Sequence, residues 1–167
     1  MYTTSGYPLD SLDARLLRLL AEEPRIGVLE CSRRLGVARG TVQARLDRLT
    51  SRGVLRGFSP DLDPSALGYQ VTAFLTLEIR QERGHPAVAA HLASIPEVLE
   101  AHTITGAGDL MCRVVARSNA DLQRVIDLIV GYDGVLRSST IIALAEQIGY
   151  RVLPLVEECA DQPDEGR

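Results

Sequence analysis

The spacing of apolar side chains changes near residue 60, and this change divides the chain. Before that point the apolar residues recur every three to four positions, which is the period of an amphipathic helix. After it, alternating apolar and polar residues indicate strands, and helical segments interrupt them. The pattern predicts a helical domain over residues 1–58, a hinge over 59–68, a mixed domain over 69–156 and an acidic tail over 157–167.

The helical domain is predicted to contain three helices followed by a short strand. Asp10 and Asp13 form an acidic variant of the capping box that starts the first helix, and Pro24 ends it. Gly36 allows a left-handed turn between the second and third helices, so the two form a helix-turn-helix, the unit that places one helix in the DNA major groove. The remaining segments are a second helix over residues 28–35, a third over 39–52 and a strand over 54–58.

The third helix carries the candidate DNA contacts. Val42, Leu46 and Leu49 share its inward face, so the opposite arc faces outward. Glutamine suits adenine, arginine suits guanine or phosphate, and small residues let the helix come close to base edges. Taken singly, an arginine of this domain is better explained as part of a solvated helix face, and the case for DNA rests on the connected pattern. The candidate contacts to double-stranded DNA are Arg39, Gly40, Thr41, Gln43, Ala44, Arg48 and Arg52.

The mixed domain follows the order strand, helix, strand, strand, helix, strand. This order is that of the split β-α-β unit, so the fold class is α+β, with a winged helix-turn-helix followed by a ferredoxin-like βαββαβ domain. Two helices cover only one face of such a sheet, yet its strands are apolar on both faces. Phe74, Met111 and Val115 would need another cover, and a second copy of the chain, forming a homodimer, is the simplest one. Residues 147–156 could add an edge strand, since Pro154 is tolerated only at an edge.

Five short motifs stand out along the chain: Leu9-Asp10 with Asp13, Arg25-Ile26, Thr41-Val42, Gly53-Val54-Leu55 and Thr105-Gly106-Ala107-Gly108-Asp109. In these motifs both halves of the chain resemble the Lrp/AsnC family, the leucine-responsive and asparagine regulators of bacteria and archaea, and the last motif matches the family's Thr-Gly-x-x-Asp signature. Ala38 stands where the family usually has a capping serine, so the third helix is expected to start less firmly, by about 1 kcal/mol.

The resemblance implies a transcriptional regulator, not an enzyme, that senses an amino acid through the loop of residues 105–109. In the family this loop lies between dimers, and assembly proceeds from the dimer to a tetramer or octamer. Its glycines expose backbone N–H groups that can bind a carboxylate, Asp109 can bind the ammonium, and Thr140 is a further candidate contact. The alternatives are a plain hairpin turn in which Asp109 satisfies the backbone, and an architectural DNA-binding protein that needs no ligand.

The charge distribution and the remaining composition limit which partners, cofactors and compartments the protein is expected to have. The net charge of −4 hides ten arginines against six acids over residues 9–58, and eight against sixteen over 59–167. The basic segment over residues 9–58, called the front below, suits binding to DNA, and the acidic segment over residues 59–167 suits a different function. We expect no secretion signal, no membrane span, no cofactor and, since no His or Cys pair has ligand spacing, no metal site. Three unpaired cysteines fit a cytoplasmic protein, and no catalytic set of residues stands out.

Overall fold

The computed structural model describes residues 9–80, 82 and 84–161, which form two compact units. The first unit contains the described residues up to Pro60 and those from Gly149 onward, and the second contains Asp61–Ile148. The ends of the predicted first domain and tail, residues 1–8 and 162–167, lie outside the described residues. In chain order the elements are α1 (Ser11–Glu22), α2 (Val28–Leu35), α3 (Arg39–Ser51), β1 (Val71–Ile79), α4 (Gly84–Ala93), β2 (Val98–Thr103), β3 (Leu110–Ala116), α5 (Asn119–Val130), β4 (Val135–Ala143) and α6 (Leu153–Asp161).

The three helices of the front lie close to their predicted positions, and the first is capped by the predicted residues. The Asp10 side chain accepts a hydrogen bond of 2.8 Å from the Asp13 backbone N–H, and Asp13 accepts from the Asp10 N–H, so the capping box is confirmed. Gly36 has φ 71° and ends α2 in the left-handed conformation. Ala38 makes no side-chain cap for α3, as expected. The helices enclose one core, formed by Leu16, Leu19, Leu20, Cys31, Leu35, Val42 and Leu49.

The predicted strand over residues 54–58 is wrong. The backbone N–H groups of Val54 and Leu55 both donate to the carbonyl oxygen of Leu49, at 2.9 and 3.1 Å, so they complete the end of α3. Those donors are therefore not available to a strand ladder, and the described part of the chain gives this segment no partner strand. The front is a helix-turn-helix without the strand that a wing would require.

The second unit is the ferredoxin-like domain. Its four antiparallel strands lie in the order β2-β3-β1-β4, which is the order that the split β-α-β unit produces. Ala73, Leu75, Leu77 and Ile79 alternate along β1 and are buried under α4 and α5. Cross-strand partners place Leu110, Cys112 and Val114 of β3 on the same face. Ser118 is the N-cap of α5, and its side chain accepts a hydrogen bond from the Asp121 N–H.

The opposite face of the sheet is less well covered within this unit. Phe74 is half-buried, Met111 is 36% exposed and Ile141 is 66% exposed, whereas Val115 is buried. Register places these side chains on the face away from α4 and α5, since they alternate with the core residues. The predicted second apolar face is thus present, although Val115 already has cover.

The predicted edge strand over residues 147–156 is also wrong. β4 ends at Ala143, and residues from Leu153 form α6, which packs against α1 in the first unit. Leu153 and Val156 are half-buried and three residues apart, a helical spacing. Pro154 lies in the first turn, where its missing N–H costs nothing. Glu157 forms an ion pair of 3.0 Å with Arg18 of α1, so the residues predicted to begin the acidic tail are ordered in a helix.

Candidate functional site

The turn between α2 and α3 is held by hydrogen bonds to one residue. The backbone N–H groups of Gly36 and Val37 donate to the Ser32 carbonyl oxygen at 3.0 and 3.1 Å. The Ser32 hydroxyl in turn donates to the Val37 carbonyl oxygen at 2.6 Å. Arg15 of α1 donates to the Leu35 carbonyl oxygen at 3.4 Å, near the end of α2. These contacts fix where the chain leaves α2, and they therefore fix where α3 starts.

The outward face of α3 is open along its whole length. Val42 and Leu49 are fully buried and Arg45 and Leu46 are half-buried, whereas the other residues of the helix are exposed. Apart from its chain neighbours and the backbone of its own helix, no described atom lies within 4 Å of the position that a Cβ on Gly40 would take. All seven predicted DNA-contacting residues are exposed, namely Arg39, Gly40, Thr41, Gln43, Ala44, Arg48 and Arg52.

The arginines of the front differ in how far other side chains engage them. On α2, Arg33 and Arg34 pair with Glu30, and Arg34 also pairs with Glu23. At the two ends of α3, Arg39 and Arg52 have no carboxylate partner in the part of the chain that the structure describes. An unpaired exposed guanidinium binds phosphate without first breaking an ion pair. Arg39 and Arg52 are thus the strongest candidates for phosphate contacts.

Two other arginines of α3 are bound to carboxylates of α1. Arg45 Nη1 lies 2.8 Å from Asp13 Oδ1 and 2.6 Å from both carboxylate oxygens of Asp10. Arg48 Nη2 lies 3.0 Å from Asp13 Oδ2 and 3.2 Å from its Oδ1. Partial burial raises the pKa of Asp10, but the Arg45 hydrogen bond and the Asp13 backbone N–H outweigh it, so this pKa lies below its ordinary value. Arg48 is therefore both an exposed candidate contact and part of an internal network.

Sequence reasoning missed this network. The sequence pattern identified Asp13 as a capping residue, which is only part of its role, because Asp13 also accepts hydrogen bonds from Arg45 and Arg48. Asp13 is fully buried, and it is the single buried charged side chain among the described residues. Its partners on α3 are 32 and 35 residues away, so no local spacing announces the pairing.

The loop of residues 105–109 is shaped by its glycines. Gly106 has φ 115°, in the region that favours glycine. A Cβ on Gly108 would lie 2.4 Å from Thr76 Cγ2 and 3.1 Å from the Leu77 carbonyl oxygen, so β1 leaves no room for a side chain there. Thr105, Gly106 and Ala107 are exposed, whereas Gly108 and Asp109 are half-buried.

Asp109 is engaged with the backbone of β1. Its carboxylate Oδ2 accepts a hydrogen bond of 2.8 Å from the Ile79 N–H, and its own N–H donates to the Leu77 carbonyl oxygen at 2.9 Å. The Oδ2 atom of Asp109 thus satisfies a backbone N–H, as the interpretation of this loop as a plain hairpin turn expects.

Thr140 is not brought to the loop within one chain. It pairs with Leu75 on β4, and β1 lies between β4 and the loop-bearing strand β3. Two strand spacings, roughly 10 Å, therefore separate β4 from β3. A single copy of the chain therefore does not place Thr140 on a strand next to β3.

Other kinds of site find no support in the described residues. No group of three or more His, Cys, Asp or Glu side chains among them could hold a metal ion. Within the same residues, no helix is both long and apolar enough to cross a membrane.

Comparison with known proteins agrees with this geometry. Residues 9–50 match the AsnC-type helix-turn-helix domain, and residues 72–153 match the Lrp/AsnC ligand binding domain. HTH-type transcriptional regulator FL11 of Pyrococcus horikoshii is 30% identical, over 89% of this chain and 97% of its own length. These matches place the chain in a class of proteins, the helix-turn-helix transcriptional regulators, which are not enzymes.

Two solved structures extend the likeness to the whole fold. The structure of Escherichia coli AsnC has a TM-score of 0.81 at 30% identity, covering 89% of this chain and all of that one. The feast or famine regulatory protein of M. tuberculosis, complexed with L-methionine, has a TM-score of 0.76 at 29% identity, covering 86% of this chain and 97% of that one. The chain belongs to the Lrp/AsnC family of transcriptional regulators.

Proposed function

We propose that this regulator reads specific DNA sequences by placing α3 in the major groove. The observation that carries the proposal is the exposed surface of α3, whose seven candidate residues lie on a helix with only two fully buried side chains. Arg39 and Arg52, at the ends of the helix, would bind phosphates and set its register. Gln43, whose amide now donates to Asp47 at 2.8 Å, would exchange that bond for an adenine edge.

Substitutions in α3 test this assignment. Arg39→Ala and Arg52→Ala are each expected to weaken binding similarly on all sequences and to reduce the slope of log affinity against log salt by about 1. Gln43→Ala is expected to cost about 1–3 kcal/mol of discrimination at one base pair. Arg80→Ala, which removes the same charge from the second unit, serves as the control. Unchanged slopes in both α3 variants would mean that α3 is not the groove-binding helix.

The effector in this proposal is an amino acid bound at the loop of residues 105–109. Support comes from the relative that was solved with L-methionine and from the match to a ligand binding domain. The exposed backbone of Gly106 and Ala107 would bind the carboxylate, and the free oxygen of Asp109 would bind the ammonium. Calorimetry against the twenty amino acids, beginning with methionine, tests this, and light scattering of the same samples reports any change in assembly.

The assembly in this proposal is a homodimer formed through the open face of the sheet. Exposed Ile141 and Met111 lie on that face with half-buried Phe74, and a second copy would cover all three. Two reading heads would then meet half-sites about 34 Å apart, or a multiple of it. Further assembly to a tetramer or octamer would bring loops of different dimers together, where Thr140 of another copy is a candidate contact. A regulator of this kind acts in the cytoplasm, where it meets the DNA.

A ligand-independent architectural DNA-binding protein is the second candidate function. The bond from the Ile79 N–H to Asp109 favours it, because this bond gives the carboxylate a structural role without any ligand. The two candidates differ in calorimetry. No heat with any amino acid, together with DNA binding that shows little sequence preference, would favour the architectural protein.

A further inference from the structure

We infer that Asp13 is a positioning residue that sets the orientation of α3 for base recognition. This inference rests on the proposed reading of DNA by α3. Asp13 lies in the first turn of α1 and is fully buried. Its side chain is therefore not part of the exposed surface of α3 that is proposed to contact DNA. Its effect on DNA binding would therefore act through Arg45 and Arg48.

The network has the geometry of a clamp. Both carboxylate oxygens of Asp13 accept bonds from α3, with Arg45 Nη1 at 2.8 Å from Oδ1 and Arg48 Nη2 at 3.0 Å from Oδ2. Residues 45 and 48 are three apart and so share one side of the helix. Asp10 adds a second anchor, since both of its oxygens lie 2.6 Å from Arg45 Nη1. One end of α1 thereby fixes two points along α3.

The apolar contacts of α3 do not supply this constraint. Val42 and Leu49 are its fully buried side chains, and apolar burial is not directional. Charge-assisted hydrogen bonds, by contrast, depend on angle and distance, so they add a directional restraint to this packing. Recognition sites need their groups held within about 0.5 Å and 10–20°, so a directional restraint on α3 has a clear use.

A buried carboxylate is stable only when it is paired. An unpaired charge away from water is strongly destabilising, so arrangements of α1 and α3 that separate Asp13 from its arginines are disfavoured. Arg48 completes the argument, because its side chain is 44% exposed and lies on the surface proposed to face DNA. In this proposal Arg48 lies on the surface that faces the groove and is also hydrogen-bonded to Asp13.

The test measures specificity rather than affinity alone. The full chain first selects its preferred site from a random duplex library, and affinities for that site and for an unrelated duplex are then measured at one salt concentration. Asp13→Asn is expected to lower the ratio of the two affinities by roughly tenfold, a typical coupling within a hydrogen-bonded network. Asp127→Asn removes an exposed carboxylate of the second unit, so it controls for net charge and should leave the ratio unchanged.

A second variant keeps the inference testable if Asp13→Asn does not fold. Arg45→Lys retains the positive charge beside Asp10 and Asp13 but loses the guanidinium, so it is expected to lower the same ratio. A ratio equal to wild type in a folded Asp13→Asn or Arg45→Lys protein, as judged by circular dichroism, would overturn the inference. A library that yields no preferred site would instead overturn the proposed sequence-specific function.

Discussion

The Asp109 carboxylate accepts a structural hydrogen bond from the Ile79 N–H, and in the proposed function it also contacts the effector. Two substitutions can separate these roles. Ile79 is only 3% exposed, so water does not readily replace the carboxylate that its N–H meets at 2.8 Å. Asp109→Ala leaves this donor unsatisfied, which costs about 1–3 kcal/mol. Asp109→Asn keeps an acceptor oxygen but loses the charge, so we expect it to cost about 1 kcal/mol, the difference between a charged and a neutral hydrogen bond.

Two measurements follow both variants. Hydrogen exchange at the Ile79 amide reports the structural bond, and we expect exchange to quicken strongly in Asp109→Ala and slightly in Asp109→Asn. Calorimetry with an amino acid that binds the wild type reports the effector site, and we expect both variants to lose binding because neither offers a charge to the ammonium. An Asp109→Ala protein with wild-type exchange at Ile79 would refute the structural reasoning. Full ligand affinity in Asp109→Asn would refute the ammonium contact.

Three further results are expected. Gly108→Ala should destabilise the second unit by about 1–3 kcal/mol, measured by urea denaturation, because its Cβ would meet Thr76 Cγ2 at 2.4 Å; wild-type stability would show that β1 can yield. Of the three thiols, exposed Cys159 should react fastest with a thiol reagent at pH 8, since Cys112 is buried and desolvation raises its pKa to about 11; equal rates would contradict that burial. The depressed pKa of Asp10 stabilises the front above the unfolded value of about 3.9, and this contribution should disappear as pH falls through the lower folded value; an Asp10→Asn protein should lack that part of the acid transition.

The fold was largely predictable because its signals are local. The Asp10 cap, the Gly36 turn and the Ser118 cap each act within four residues, and alternation along β1 needs no distant partner to be recognised. The two wrong strands, over 54–58 and 147–156, failed for a common reason. A strand forms only where its backbone can hydrogen-bond to a neighbouring strand, and a short apolar run does not indicate whether such a neighbour is present. Val54 and Leu55 complete the end of α3 instead, and the residues from Leu153 onward form α6.

The candidate DNA surface was predictable in position but not in electrostatics. Helical periodicity located the exposed arc of α3, because an inward stripe defines its opposite side. A count of arginines treats each one as available, whereas Arg45 and Arg48 are bound to carboxylates of α1 and Arg39 and Arg52 have no such partner among the described residues. The positive charge available on the exposed arc of α3 therefore depends on long-range pairing. Under the proposed function, Arg39 and Arg52 at the ends of α3 would bind phosphates, while Arg45 and Arg48 nearer its middle would hold the helix at a fixed angle.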